Sequence, residues 1–115
     1  MIRKNDIRYN RKSNHYGVVK KKSKKGVTSV FISTKEYDSG KKNVPMYRNI
    51  DKNSNEPSYF IKRVRTYEKG SYSGKIKNFS LSKDDRKLSD DIYKVHLKNK
   101  KIMKKRNKKR NQHHS

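Results

Sequence analysis

The sequence predicts a small, mainly β domain that is followed by one C-terminal helix and flanked by disordered basic ends. Short β-branched and aromatic runs follow one another between residues 15 and 67. A capped amphipathic pattern over about 82–97 then indicates a helix. The last stretch, 98–115, is rich in Lys, Arg and Asn and contains no acidic residue. Four or five strands followed by one helix are typical of a small barrel or rolled sheet.

The distribution of apolar residues sets the expected domain limits. Only 28% of the 115 residues are hydrophobic and 38% are charged, a balance that approaches that of disordered chains. Most large apolar residues, and every tyrosine except Tyr9, nevertheless lie within 16–97. We therefore predict a domain at 15–97, a basic arm at 1–14 and a disordered basic tail at 98–115.

The charge of the chain points to a polyanionic partner. Lys and Arg number 34 against 10 Asp and Glu, for a formal net charge of +24. Such a surface attracts RNA or DNA, where bound Lys and Arg release condensed counterions. No apolar run is long enough to span a bilayer and the start lacks the apolar core of a signal peptide, so we expect no membrane partner and a cytoplasmic location. Cysteine is absent, and we predict neither a metal nor a cofactor.

The first predicted strands form a hairpin. YGVVK, from Tyr16, has β propensity, KKSKKG reads as a turn, and Gly26 supplies a permissive backbone position. VTSVFIS then alternates, with Val27 and Phe31 on one face and Val30 and Ile32 on the other. A strand that is apolar on both faces suits a barrel or a covered position.

The second half of the predicted sheet is shorter and more polar. A turn is expected at 38–40, and Pro45, which lacks an N–H, belongs on an edge or at the start of a strand. The stretch 58–67, SYFIKRVRTY, predicts one continuous strand. Its alternation places Tyr59, Ile61, Arg63, Arg65 and Tyr67 on one face.

The predicted helix begins at Ser82, whose hydroxyl precedes Asp85 by three residues in an approximate capping box. Leu88, Ile92 and Val95 follow at helical spacing, and Leu81 is placed to act as a hydrophobic staple.

The leading functional interpretation is nucleic-acid binding by phosphate neutralisation and tyrosine stacking, with RNA or single strands favoured over duplex DNA. Exposed tyrosines stack on unpaired bases, although Tyr59 and Tyr67 fit a role in the core equally well. The basic tail is predicted to bind phosphates in a salt-sensitive way. The predicted binding residues are Lys20, Lys21, Lys22, Lys24, Lys25, Tyr59, Lys62, Arg63, Arg65, Tyr67, Lys104, Lys105, Arg106, Lys108, Lys109 and Arg110.

The pattern RKxxHYGVV, followed by a turn and VxSVFIST, resembles the start of PemK/MazF-type toxins. KNVPMYRNID, SYFIKRVR and FSLSKDD also suit small proteins of that family, so the resemblance covers roughly 11–97. It implies an SH3-like β-barrel and metal-independent cleavage of RNA, often by a homodimer that an antitoxin opposes; that partner is expected to be acidic. By position, Arg11 or Lys12 would be the catalytic cation, and Ser33 or Thr34 would be the polar group after the second strand.

The sequence therefore leaves three alternative functions. The first is a nucleic-acid-binding protein, the second is a PemK-like endoribonuclease that is active or inactive, and the third is a structural component of a ribonucleoprotein. Gly17 stands where that family starts its strand with proline, and Ser33-Thr34 inverts the order of its polar triplet. Binding is for that reason a safer expectation than catalysis.

Overall fold

The computed structural model describes the backbone of residues 1–113 and the side chains of residues 1–105. It contains nine strands and one long helix, which confirms the mainly β class with a C-terminal helix. A 3-10 turn, Lys69–Ser71, joins β8 to β9. The elements are β1 Ile7–Asn10, β2 His15–Ser23, β3 Gly26–Ser33, β4 Tyr37–Asp38, β5 Lys41–Lys42, β6 Val44–Pro45, β7 Tyr59–Phe60, β8 Arg65–Tyr67, β9 Tyr72–Lys75 and α1 Lys83–His113.

The main sheet is antiparallel and has the strand order β6-β7-β3-β2-β1-β9, with β8 also paired to β3. β7 pairs with the end of β3, and β8 pairs with its beginning. β4 and β5 form a separate hairpin whose turn residues, Ser39 and Gly40, have positive φ, as the predicted turn requires. Among the described strands, β6 and β9 do not pair with each other, so the sheet is open and not a closed barrel.

The β2–β3 hairpin is the centre of the sheet and confirms the predicted hairpin. Val18, Val30 and Ile32 pack in one cluster, against which the helix residues Leu88 and Ile92 also lie. The opposite face holds a second cluster: Ile2, Val19, Val27, Phe31, Ile61 and Tyr72. β2 and β3 extend further into the predicted turn than expected, so that only Lys24 and Lys25 separate them. Both faces of β3 are therefore covered, as its alternation predicted.

A bulge interrupts the hairpin at Lys20. The register shifts between Val19, opposite Ser29, and Lys21, opposite Thr28. A bulge adds one residue to a strand and bends it. As a result, the consecutive residues Lys20 and Lys21 both reach the side of the sheet that α1 covers.

The predicted continuous strand at 58–67 is wrong, because the chain breaks between β7 and β8. Ile61 and Val64 are both buried, at 9% and 6% exposure, and they pack in different core clusters. The Ile61 N–H donates to the Phe31 carbonyl at the break. Tyr59 consequently does not share a strand face with Arg65.

The predicted N-terminal arm belongs to the domain. β1 pairs with β2 on one side and with β9 on the other, so it is an inner strand. Ile2 and Ile7 are buried, and Arg8 forms a buried ion pair with Asp6. Arg8 also donates to the Met1 carbonyl and, across the sheet, to the Ser73 carbonyl.

The helix begins where the capping pattern predicts, since the Ser82 hydroxyl accepts the Asp85 N–H at 3.1 Å. It does not end at Leu97 but continues to His113, so the described part of the predicted tail is helical. No Gly or Pro follows Leu97, and Lys and Arg are good helix formers. Val95 is 58% exposed and lies outside the core, contrary to the predicted apolar face. No helix in the described residues is long and apolar enough to cross a bilayer.

Candidate functional site

A cationic groove runs between the β2–β3 hairpin and α1. We call it the lysine groove; its volume is about 640 Å³. Lys21, Lys24 and Lys25 line it from the hairpin, and Lys100 lines it from the helix. The described side chains that line it include no carboxylate. Its remaining lining consists of Ser23, Thr28, Thr66, Tyr93, His96 and Leu97.

A buried ion pair holds the two walls of the lysine groove together. The Lys20 ammonium, with a side-chain exposure of 0%, lies 2.8 Å from the Asp90 carboxylate on α1. It also donates to the Asn5 amide oxygen at 2.9 Å. Lys20 was predicted to bind nucleic acid; in the structure its ammonium is buried and paired with Asp90, so we do not include it in the lysine groove. The same pair neutralises an acidic residue beside the groove.

The carboxylates of Asp90 and Asp6 predict a loss of stability in acid. Burial opposes ionisation of both groups, but hydrogen bonds and the charges of Lys20 and Arg8 outweigh it and lower both pKa values below the ordinary 3.8. The unfolded chain therefore takes up protons first as the pH falls below about 3.9. We expect the free energy of unfolding to fall from that pH downwards. Burial lowers the pKa of Lys20 below its ordinary 10.5, and the Asp90 carboxylate opposes this shift.

Chemical denaturation between pH 6 and about pH 2.5 measures this effect. The double variant Asp6→Asn/Asp90→Asn is expected to be less stable at pH 6 and to depend less on pH below about 4. Asp84→Asn, at an exposed carboxylate of the first helical turn, is the matched control. An equally steep acid dependence in the double variant would contradict the assignment.

Aromatic side chains form the helix side of the lysine groove. The rings of Tyr93 and His96 are nearly parallel, with an angle of 19° and centroids 6.4 Å apart. Burial, and after it the positive charge of Lys100, lowers the pKa of His96 below its ordinary 6.5. The imidazole is therefore mainly neutral at pH 7. On the floor of the groove, the hydroxyls of Thr28 and Thr66 are hydrogen-bonded at 2.6 Å.

A second cationic cavity, of about 280 Å³, lies on the face of β3 that carries Phe31. We call it the arginine cavity. Lys12, His15, Arg63 and Arg65 line it, and Asp38 supplies one carboxylate. Tyr67 forms part of its wall and packs edge-on against Phe31, with ring centroids 5.6 Å apart. Tyr67 is thus partly a core residue, and Lys62 lies in a neighbouring depression beside Arg63.

The four residues suggested for catalysis are not brought into one cavity. The Arg11 guanidinium donates to the Gly70 carbonyl, and Lys12 forms an exposed ion pair with Glu68. Ser33 and Thr34 line a separate cavity of about 520 Å³. Ser33 is buried, and its hydroxyl accepts the Lys35 N–H at 3.1 Å. His15 lines both this cavity and the arginine cavity.

The remaining predicted binding residues are dispersed. Lys22 is exposed on the hairpin outside the lysine groove, and Tyr59 is half-buried between β3 and β6. Lys104 and Lys105 are exposed on α1. The side chains of Arg106, Lys108, Lys109 and Arg110 lie outside the described residues.

Sequence reasoning missed the helix side of the lysine groove. Tyr93, His96, Leu97 and Lys100 follow at i, i+3, i+4 and i+7, the spacing of one helical stripe. That signal was present in the sequence, but the hairpin that faces the stripe could not be read from it.

Comparison of the chain with protein-family models, with curated proteins and with solved structures gave no match.

Proposed function

We propose that this protein binds nucleic acid and that the lysine groove is its principal phosphate-binding surface. The single observation that carries the proposal is the convergence of four lysines from two elements on one groove whose described lining has no carboxylate. Lysines brought together in this way raise the local positive potential more than lysines dispersed over a surface.

The architecture supports a preformed groove. The hairpin wall is part of the central sheet, and the Lys20–Asp90 pair fixes it against α1. Lys21, Lys24, Lys25 and Lys100 are exposed, so their ammonium groups can reach a ligand at little cost in desolvation. Contacts of this kind bind phosphates without reading sequence.

The triple variant Lys21→Gln/Lys24→Gln/Lys25→Gln tests the proposal. Its affinity for RNA or DNA oligonucleotides at about 50 mM salt is expected to fall at least about tenfold. The slope of log K against log salt is expected to become shallower by about 2 to 3, because each lysine that contacts a phosphate contributes a little less than one counterion. Fluorescence anisotropy over a series of salt concentrations measures both quantities.

Lys69→Gln/Lys77→Gln/Lys87→Gln is the matched control, because these exposed lysines lie outside both cationic cavities and the net charge changes by the same amount. Equal losses in the two triple variants would mean that only net charge matters and would overturn the assignment to the groove. A wild-type protein that binds no oligonucleotide at this salt would overturn the function itself.

A second candidate function, PemK-like cleavage of RNA, is favoured by one observation. His15 lines the arginine cavity with Lys12, Arg63 and Arg65. A neutral imidazole can take the proton of a ribose 2′-hydroxyl, whose oxygen then attacks the phosphorus while the 5′-oxygen leaves and takes a proton from solvent. Neighbouring cations can stabilise the negative charge on the phosphorane oxygens. New RNA ends that appear with the wild type and disappear with His15→Ala would support cleavage, and intact RNA would leave binding alone.

The SH3-like barrel belongs to the same proposal. The 3-10 turn Lys69–Ser71 carries the chain from β8, which pairs with β3, to β9, which pairs with β1. This passage around the hairpin supports a partly open barrel of that type, as the PemK-type interpretation requires.

A further inference from the structure

The lysine groove has two chemically different walls. The hairpin wall carries Lys21, Lys24 and Lys25, whereas the helix wall carries the rings of Tyr93 and His96 in addition to Lys100. Phosphate binding alone does not require aromatic side chains in the wall of the groove. Aromatic side chains opposite cations are the arrangement by which single-strand channels hold bases and backbone at the same time.

The state of His96 favours contact with a base over contact with a phosphate. A charged histidine binds phosphate more strongly than a neutral one, and burial and the neighbouring Lys100 favour the neutral ring of His96. The imidazole lies nearly parallel to the Tyr93 ring, so the two π faces have similar orientations. Aromatic surfaces of this kind accept any unpaired base, because every base has a π face.

We propose that Tyr93 and His96 form a stacking platform for unpaired bases, so that the lysine groove binds single-stranded nucleic acid in preference to duplex. This inference rests on the proposed function and adds to it the class of nucleic acid that is bound.

The dimensions of the groove agree with this preference. A volume of about 640 Å³ is in the range of pockets that enclose a drug-sized ligand, about 300–1,000 Å³. In a duplex the bases are already stacked and paired, so only the phosphates could reach the lysines and the platform would be unused.

The test compares four oligonucleotides of equal length: single-stranded RNA, single-stranded DNA, duplex DNA and an abasic strand that keeps the phosphates but lacks bases. The variant Tyr93→Leu/His96→Leu retains apolar bulk where Tyr93 packs against the core, but it removes both rings. Its affinity for both base-bearing single strands is expected to fall about tenfold or more, because the bases lose the rings on which they stack. Its affinity for duplex and for the abasic strand is expected to be unchanged.

The variant Tyr93→Phe/His96→Phe keeps two rings and is expected to bind single strands as the wild type does. Matching unfolding midpoints of the two double variants exclude a general loss of structure. A leucine variant that binds base-bearing strands as tightly as the wild type would overturn the platform, and so would a wild type that binds the abasic strand equally well. Both of these outcomes leave phosphate binding in place. Absence of binding to all four oligonucleotides would overturn the proposed function and the platform with it.

Discussion

Replacement of Asp85 by Ala is expected to destabilise the domain by about 3 kcal/mol, because the carboxylate is buried and serves three donors. It is 0% exposed. Its oxygens accept the Tyr47 N–H at 2.7 Å, the Arg48 N–H at 3.0 Å and the Ser82 hydroxyl at 2.7 Å. Alanine leaves two backbone donors of the loop without their partner and also loosens the helix cap.

Urea denaturation followed by far-UV circular dichroism measures this loss. Asp84→Ala is the control, since Asp84 is an exposed neighbour in the same helical turn. Its removal is expected to cost only about 0.3–1 kcal/mol through the helix dipole. Asp85→Asn retains one acceptor oxygen and should fall between the two. Equal losses for Asp84→Ala and Asp85→Ala would show that the loop contacts contribute nothing.

Replacement of Gly26 by Ala is expected to cost about 3 kcal/mol through strain and overlap together. The φ angle of Gly26 is +139°, which L residues rarely adopt. A Cβ atom would lie 2.4 Å from the Tyr67 carbonyl oxygen, which belongs to the backbone of β8 and cannot rotate away. The substitution must push β8 away from the start of β3, where Thr28 and Thr66 form the floor of the lysine groove.

Gly40→Ala separates the two contributions. Gly40 also has a positive φ, of 78°, but a Cβ atom there meets nothing within 4 Å. Gly40→Ala is expected to lower the free energy of unfolding by only about 1–2 kcal/mol, because only the left-handed backbone conformation is strained. Urea midpoints of the two variants give the comparison. If Gly26→Ala were no worse than Gly40→Ala, the close approach to Tyr67 would carry no energetic weight.

Local patterns predicted the elements that depend on local chemistry. The alternation in β3, the turn at Ser39-Gly40 and the cap at Ser82 each follow from a few neighbouring residues, and each is present in the structure. The break between β7 and β8 does not follow from such a pattern. At this break Ile61 and Val64 pack into two different core clusters, whose other members come from distant parts of the chain.

The candidate site shows the same limit of local sequence patterns. The lysines of KKKSKK are indistinguishable in the sequence, yet Lys20 is buried while Lys21 is exposed. The difference depends on Asp90, 70 residues further along the chain, and on a bulge with no sequence mark of its own. Charge alone predicted a polyanion-binding surface, but only the packing of α1 against the hairpin selected which lysines form a groove.

The inner position of β1 has a consequence for the order of folding. The edge of β1 that faces away from β2 pairs with β9. There the Arg8 guanidinium donates to the Ser73 carbonyl, which lies 65 residues further along the chain. Closing so long a loop lowers the conformational entropy of the chain before the new contacts add any stability. The hairpin can form early from adjacent residues, whereas β1 acquires its second partner only after nearly the whole domain is in place. A fragment that lacks β9 should therefore keep β1 paired with β2 on one side and leave its other edge unpaired.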